Sequence, residues 1–278
     1  MKNVRIVIVS LVFSVLFGWG LWANITGDDA QRELFSDSYW VLPLLCGVAG
    51  ISAARRWGGL SSIFGKAVTF LSIGLLAQTF GQVVYTYYAL VQQVEAPYPS
   101  IGDIGFFGAV IAYILGAYYL AKTVNARTLL STKLLSRLVV IGLPIVMLGV
   151  SYTIFLNGYD YSTASLVTTL LDFGYPLGQS IYVAIAVIAF MASKNMLGGI
   201  MRKNILLVIG ALITQYVADF LFLFSFSRGE YIPGGLTDLV YLLAYLAMGV
   251  ALISLIDTYS RILEKTKQRT DTIGAQNV

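Results

Sequence analysis

The sequence predicts an all-α polytopic membrane protein with eight transmembrane helices. Only 12% of its 278 residues are charged and 58% are hydrophobic, whereas soluble globular proteins carry about 25% charged residues. The hydrophobic residues form long blocks, and about 20 apolar residues are enough to cross a bilayer as a helix. Because a helix satisfies its own backbone hydrogen bonds in lipid, each block is predicted to be a spanning helix.

Eight blocks of the sequence are predicted to be these spans. In order, they are Ile6–Ala23, Tyr39–Ala54, Ala67–Val91, Ile104–Ala121, Leu138–Asn157, Leu166–Ala192, Ile205–Phe226 and Leu239–Ile256. If the N-terminus is cytoplasmic, all of the 18 lysines and arginines except Arg32 and Arg228 fall on the cytoplasmic side. Since cytoplasmic loops are enriched in Lys and Arg, we expect both termini to be cytoplasmic.

The first block has two interpretations. A stretch that carries Lys2 and Arg5 before an apolar run is also typical of cleaved signal peptides. This block, however, ends in Trp19 and Trp22 and is needed to give the first half of the chain as many spans as the second. We therefore expect it to be retained as a helix.

Polar residues recur at matching positions in the two halves of the chain. The matched pairs are Asp37 with Asp172, Gln78 with Gln215, Gln82 with Asp219, and Asp103 with Asp238. Polar residues are scarce here, so shared apolar composition is the weaker explanation. Four spans bring both halves into the membrane in the same direction, unlike the inverted repeats of many transporters. We predict two parallel four-helix membrane repeats, residues 1–134 and 135–257, followed by a basic cytoplasmic tail, residues 258–278.

The polar residues inside the spans are the candidate site. An ionised aspartate at mid-bilayer costs on the order of 2.5–3.5 kcal/mol on insertion scales, and such residues usually face the bundle interior and serve function. We expect an outward-opening pocket for a ligand or a proton, lined by the third, sixth and seventh spans. Its candidate residues are Gln78, Gln82, Asp172, Tyr175, Gln179, Gln215 and Asp219.

An alternative role for these residues is interhelical hydrogen bonding, worth about 0.6 kcal/mol per contact on average in membranes. The glutamines fit both roles equally well, and the aspartates favour the pocket. No basic residue lies within a span to pair with Asp172 or Asp219. Each aspartate is therefore expected to be neutral, or to be reached by water or a bound cation.

Asp103 and Asp238 are predicted to be helix N-caps. Each follows a segment with proline and glycine and directly precedes an apolar run. A carboxylate at this position accepts hydrogen bonds from the free N–H groups of the first helical turn and complements the helix dipole.

Several function classes are excluded or disfavoured. The chain has no histidine and a single cysteine, Cys46, which excludes bis-histidine haem, the usual zinc sites and histidine-based catalysis. We find no phosphate-binding glycine loop, no GxSxG and no metal-ligand cluster, so no enzyme activity, cofactor or metal is predicted. The net charge of +4 follows from membrane topology and does not indicate a nucleic-acid partner.

Four short motifs resemble a known class of membrane domain. They are PSIGD at 99–103, YPLG at 175–178, ADFLF at 218–222 and YIPGGLTD at 231–238. The chain is similar to the multi-pass sensory regions that precede bacterial diguanylate cyclase, cyclic-di-GMP phosphodiesterase or histidine kinase domains. The resemblance implies a signal-input module in a prokaryotic plasma membrane, whose last helix passes a conformational change to a cytoplasmic output. The resemblance does not identify any ligand-binding residue in this sequence.

Two functions are therefore expected. The first is a non-enzymatic sensory module that couples binding of a small-molecule ligand, proton or lipid to a cytoplasmic partner, since no output domain follows the last span in this sequence. The second is a small proton- or cation-coupled transporter that uses Asp172 and Asp219 as protonatable groups.

Overall fold

A computed structural model describes residues 4–156, 165–196 and 200–276 of the chain, and these residues are almost entirely helical with no β-strand. The α-helices are α1 Val4–Thr26, α2 Asp29–Ser36, α3 Val41–Arg56, α4 Ile63–Tyr87, α5 Gly102–Thr123, α6 Ala126–Thr132, α7 Leu134–Ser151, α8 Leu166–Met196, α9 Ile200–Ser227 and α10 Leu236–Gln276. A 3₁₀ turn, Gly59–Ser61, precedes α4, and π-helical segments extend α4 and α7 over Tyr88–Gln92 and Tyr152–Leu156.

Eight helical segments in this part of the chain are long and apolar enough to cross a membrane. They overlap the eight predicted blocks, of which the fifth was predicted to end at Asn157, a residue outside the described part of the chain. The all-α class and the number of candidate spans are therefore confirmed. The short helix α2 leads directly into α3 and belongs to the second span. The last span differs most from its prediction, because α10 begins before Leu239 and continues far beyond Ile256.

Six of the spans form a closed ring. In ring order, α3 packs on α4, α4 on α5, α5 on α8, α8 on α9, α9 on α10, and α10 back on α3. The first span, α1, lies outside the ring against α10 and α3, and α7 lies outside it against α8. The ring helices carry most of the buried hydrophobic core, including large side chains such as Tyr113, Tyr182 and Tyr245, and α1 adds Val9 and Leu16.

Glycines allow α4 and α5 to approach each other closely. A side chain on Gly105 of α5 would place its Cβ 2.5 Å from the carbonyl oxygen of Ala77 and 2.6 Å from the backbone nitrogen of Gly81. These distances are shorter than van der Waals contact, so only glycine permits this approach of the two backbones. Small residues at helix interfaces are the usual means of such packing in membranes.

The two ends of the bundle differ in charge. We call the end at which α5 and α10 begin, marked by Asp103 and Asp238, the aspartate end. The opposite end, at which α3 and α5 finish and α4 begins, is the basic end, because it carries Arg55, Arg56, Lys66 and Lys122.

Candidate functional site

A buried carboxylate surrounded by tyrosines lies inside the ring, nearer to the aspartate end. We call this group the Asp219 cluster; it comprises Gln78, Tyr113, Tyr182, Gln215, Asp219, Tyr241 and Tyr245. Asp219 is 7% exposed. Its Oδ1 accepts hydrogen bonds from Gln215 Nε2 at 3.0 Å and from the Tyr241 hydroxyl at 2.9 Å, and its Oδ2 accepts one from the Tyr182 hydroxyl at 3.2 Å. In the described part of the chain, every side chain that bonds it is uncharged.

Helix geometry brings these donors together from three helices. Gln215 and Asp219 lie four residues apart on α9, so their side chains meet on one face. Tyr182 comes from α8 and Tyr241 from α10, the two ring neighbours of α9. Through these three hydrogen bonds, Asp219 joins α8, α9 and α10.

The cluster continues along α10 toward α4. Tyr245 lies one turn from Tyr241, their rings are 6.0 Å apart, and the Tyr245 hydroxyl donates to Gln78 Oε1 at 3.3 Å. Gln82, one turn further along α4, is half-buried and donates from Nε2 to the Tyr39 hydroxyl at 2.6 Å. The structure therefore places Gln78, Gln215 and Asp219 in one buried group, with Gln82 at its edge.

Tyr113 of α5 is the one member of the cluster with an unused polar group. Its side chain is 1% exposed, and its hydroxyl has no hydrogen-bond partner among the described residues. Its ring packs edge-to-face on Tyr182 with centroids 6.0 Å apart. A buried hydroxyl without a partner costs about 1–3 kcal/mol, so this position is energetically significant.

Asp172 and Tyr175 belong to a second group, at the aspartate end. Tyr175 donates to Asp103 Oδ1 at 2.9 Å, and Tyr98 donates to Asp172 Oδ1 at 2.6 Å. Partial burial, then the hydrogen bond to Asp172 and its charge, raise the pKa of Tyr98, so its phenol remains a donor. Ten residues of α8 separate Asp172 from Tyr182, or about 15 Å of helix. The two aspartates predicted for one pocket thus occupy two sites, and Gln179 is buried on α8 between them.

Asp238 is the centre of a third group. Its Oδ2 accepts from the backbone nitrogen of Gly234 at 2.7 Å and from the Ser36 hydroxyl at 3.2 Å. The Tyr231 hydroxyl donates to both carboxylate oxygens, at 3.1 and 3.2 Å. Burial and then the Asp238 charge raise the pKa of Tyr231 well above its usual value, which keeps this hydroxyl protonated.

The prediction that Asp103 and Asp238 are N-cap residues is wrong, because both residues lie inside the first turn of their helices. The N-cap of α5 is Ile101, and Asp103 is already in the first turn; Asp238 is likewise inside α10. Asp103 accepts from the backbone nitrogen of Ser100 at 2.7 Å, before the helix, as Asp238 does from Gly234. Side chains in a helix tilt toward its N-terminus, so these carboxylates reach backward, as in a capping box.

The Asp219 cluster is closed in the structure, whereas an outward opening is predicted from the sequence. Gln78, Gln179, Gln215 and Asp219 are each less than one-tenth exposed. A groove of about 510 Å³ lies elsewhere, between α7 and α8, and its lining is apolar: Leu138, Val139, Gly142, Leu143, Val146 and Val187. Within the described chain, no three His, Cys, Asp or Glu residues are grouped to hold a metal ion.

Four tyrosines of the cluster are missing from the sequence-based candidates: Tyr113, Tyr182, Tyr241 and Tyr245. The sequence contains a pattern that indicates Tyr241 and Tyr245, because these tyrosines follow Asp238 at helical spacing on one face of α10. Tyr182 similarly continues the face of α8 that carries Asp172, Tyr175 and Gln179. Nothing in the sequence marks Tyr113, whose ring packs on Tyr182 of α8.

The fold and the cluster together define a polytopic helical membrane protein with a buried carboxylate–tyrosine site. No protein-family model matches the chain, and no curated protein and no solved structure matches it either.

Proposed function

We propose that this protein is a non-enzymatic membrane sensory module, in which the Asp219 cluster receives a signal and α10 transmits it to a cytoplasmic partner. The observation that carries the proposal is the continuity of α10. It is a single helix of 41 residues, about 60 Å long at 1.5 Å per residue, which is twice the thickness of the bilayer core, about 30 Å. One rigid element thus joins the site to the region beyond the opposite face of the bundle.

The contacts of α10 make it responsive to the site. Near its beginning it contributes Asp238, Tyr241 and Tyr245 to the hydrogen-bonded groups described above. Toward the basic end, Trp57 Nε1 donates to the carbonyl oxygen of Leu255 at 3.1 Å, and Asn204 donates to the Thr258 hydroxyl at 2.6 Å. A change in the hydrogen bonds of Asp219 therefore acts on a helix whose far end is held by a few directional contacts.

The orientation that we assign places the basic end in the cytoplasm. It is supported by the lysines and arginines at that end, since cytoplasmic segments are enriched in them. In this orientation, the Asp219 cluster lies in the outer half of the membrane and the end of α10 emerges inside the cell. A prokaryotic plasma membrane is the location that the resemblance to bacterial sensory regions supports.

The arrangement of the helices also supports the parallel repeat of residues 1–134 and 135–257. The first span of each half, α1 and α7, lies outside the ring. Between the halves, the last span of each packs on the second span of the other: α5 on α8, and α10 on α3. At each of these two contacts, an aspartate of one half accepts a hydrogen bond from a hydroxyl of the other half. Asp103 accepts from Tyr175, and Asp238 accepts from Ser36.

A transporter is the second candidate, and one observation favours it. Asp219 is buried in the membrane region with no cationic partner among the described residues, which is a common property of proton- and ion-coupling sites. Purified protein in proteoliposomes distinguishes the two functions. Proton or sodium flux that is abolished by Asp219→Asn would establish transport, whereas equal flux in protein-containing and empty vesicles removes this candidate.

Site-directed photocrosslinking in cells tests the sensory function. A photoreactive residue at exposed Glu264 on α10 is expected to capture a cytoplasmic protein, with a yield that Asp219→Asn changes at least about threefold, a difference of roughly 0.6 kcal/mol. The control carries the same residue at Ile104, which is 71% exposed at the aspartate end. Absence of a product specific to position 264, or a yield that Asp219→Asn leaves unchanged, contradicts coupling through α10.

A further inference from the structure

A strap of residues 93–101 crosses the aspartate end of the bundle, and we propose that it closes the route by which water and solutes reach the Asp219 cluster from that end. Tyr98 holds the strap in place, and the ring of Phe222 on α9 fills the route beneath it. This inference rests on the proposed sensory function and names how access to its site is controlled.

Tyr98 fastens the strap to helices on the far side of the ring. The strap joins the π-helical end of α4 to the start of α5. From it, the Tyr98 hydroxyl donates to Asp172 Oδ1 of α8 at 2.6 Å, and the Tyr98 ring lies 6.5 Å from the ring of Phe226 on α9. Since α4, α5, α8 and α9 are consecutive members of the ring, the strap lies across this part of the bundle end.

The backbone of the strap contributes little to holding it closed. After Val94, whose backbone nitrogen bonds the end of α4, residues 95–99 make no hydrogen bond to another backbone group in the described chain. Pro97 and Pro99 have no N–H to donate. Segments with few backbone hydrogen bonds and much exposed surface open at low free energy. Release of Tyr98 therefore frees the strap without unfolding either helix.

A column of aromatic rings fills the space between the strap and the Asp219 cluster. Below Tyr98, the ring of Phe226 lies 5.6 Å from that of Phe222, which lies 6.4 Å from that of Tyr241. The Tyr241 hydroxyl bonds Asp219. Asp219, Phe222 and Phe226 share one face of α9 by their spacing, and about 10 Å of helix separates the first from the last. The column thus leads from the strap to the carboxylate.

Phe222 is the member of the column that closes the route. It lies one turn from Asp219 toward the aspartate end, and its ring contacts two tyrosines: Tyr241, and Tyr231 at 5.0 Å. Tyr231 is itself held by the carboxylate of Asp238. An apolar ring offers water no hydrogen bond, and hydrophobic constrictions of this kind exclude water from membrane pores. Phe222 therefore separates the polar cluster from the aqueous side while the strap covers it.

The strap gives the proposed sensory site a closed and an open state. In the orientation that we assign, the aspartate end faces outward, so the strap lies on the side from which an external signal arrives. The structure holds the closed state, in which Asp219 is 7% exposed. The outward opening expected from the sequence is, in this proposal, the state in which Tyr98 is released.

The rate at which a charged thiol reagent labels a cysteine beside Asp219 tests the strap. The reporter is the full chain in lipid nanodiscs with Cys46→Ala and Gln215→Cys, because Gln215 is 2% exposed and bonds Asp219. Modification of a buried group follows the population of its open state. Tyr98→Phe removes the hydrogen bond that fastens the strap and is expected to raise the labelling rate about threefold to tenfold. Its control, Tyr87→Phe, alters a tyrosine that is 50% exposed at the end of α4 and is expected to leave the rate unchanged.

A second pair of variants tests the route beneath the strap. Phe222→Ala removes the ring above the cluster and is expected to raise the labelling rate of the same reporter at least about tenfold. Its control is Phe224→Ala on the same helix, whose ring stacks on Phe220, away from the column. Tyr98→Phe keeps its ring and lies at the surface, so it tests the strap even where Phe222→Ala does not fold.

Three results would overturn the inference. The first is a reporter that is labelled as fast as an exposed cysteine while the strap is intact. The second is equal labelling in Tyr98→Phe and Tyr87→Phe. The third is equal acceleration by Phe224→Ala and Phe222→Ala, which would indicate general loosening of the bundle. The labelling rate does not depend on capture of a partner from position 264, so failure of the strap and failure of the sensory function are distinguishable.

Discussion

Removal of one hydroxyl from the Asp219 cluster is expected to cost more stability at Tyr241 than at Tyr245. The two tyrosines lie one turn apart on α10 and both are buried, but their acceptors differ. Tyr241 donates to the carboxylate of Asp219 at 2.9 Å, and Tyr245 donates to the neutral amide of Gln78 at 3.3 Å. Replacement by phenylalanine removes only the hydroxyl, and thereby isolates each hydrogen bond.

The expected loss of stability in each variant follows from the charge of the hydrogen-bond acceptor. A hydrogen bond to a charged group contributes about 1.5–3 kcal/mol, whereas bonds between membrane helices average about 0.6 kcal/mol and reach about 1.7. We expect Tyr241→Phe to lower the free energy of unfolding by about 1.5 kcal/mol and Tyr245→Phe by about 0.6 kcal/mol. In an Asp219→Asn background, the cost of Tyr241→Phe falls toward the smaller value, because the acceptor is then neutral.

The assay is unfolding in mixed detergent micelles, followed by the fluorescence of the four tryptophans. Tyr118→Phe, on the exposed face of α5, controls for the loss of a hydroxyl outside the cluster and is expected to change stability by less than about 0.5 kcal/mol. Equal costs at Tyr241 and Tyr245, or a cost at Tyr241 that Asp219→Asn leaves unchanged, would refute the reasoning.

Three further predictions concern the packing and the ends of the bundle. Gly105→Ala is expected to cost about 2 kcal/mol because its Cβ would meet the backbone of α4, whereas Gly108→Ala on the same helix meets nothing within 4 Å and should be neutral or stabilising in the same unfolding assay. Asp238→Ala removes the acceptor of three groups at the beginning of α10 and is expected to cost about 2 kcal/mol and to accelerate amide hydrogen exchange there; unchanged exchange would contradict this. The pKa of Tyr98 is raised in the folded protein. The contribution of Tyr98 to the free energy of unfolding is therefore complete below the unfolded pKa of about 10 and is lost as pH rises above it. Tyr98→Phe should therefore make stability fall less steeply above that pH.

The spans could be predicted from the sequence because membrane helices depend on local composition. A run of about 20 apolar residues is sufficient to identify each one, and the spacing of Gln215 and Asp219 identifies a polar face within α9. The long extension of α10 is also visible as a polar, basic continuation of the last span. These features depend on residues that are close together in the chain.

The composition of the site could not be predicted, because it depends on which helices become neighbours. Tyr182 and Tyr241 reach Asp219 from α8 and α10, and Tyr113 of α5 packs on Tyr182 across a contact between the two halves of the chain. No local pattern specifies those contacts. For the same reason, the sequence-based prediction put Asp172 and Asp219 in one pocket, whereas in the structure Asp172 lies about 15 Å along α8 from Tyr182, the residue of that helix that bonds Asp219.

The proposed sensory function requires a mechanical link between the Asp219 cluster and the end of α10. The most direct test is the distance between spin labels at Ser61 and Glu264, both exposed, in nanodiscs with buried Cys46 replaced by alanine. Asp219→Asn makes the charge-assisted bond to Tyr241 neutral, so we expect it to shift or broaden the distance distribution, while Asp172→Asn leaves it unchanged. Identical distributions in wild type and Asp219→Asn would contradict the proposal that α10 transmits a change at this site.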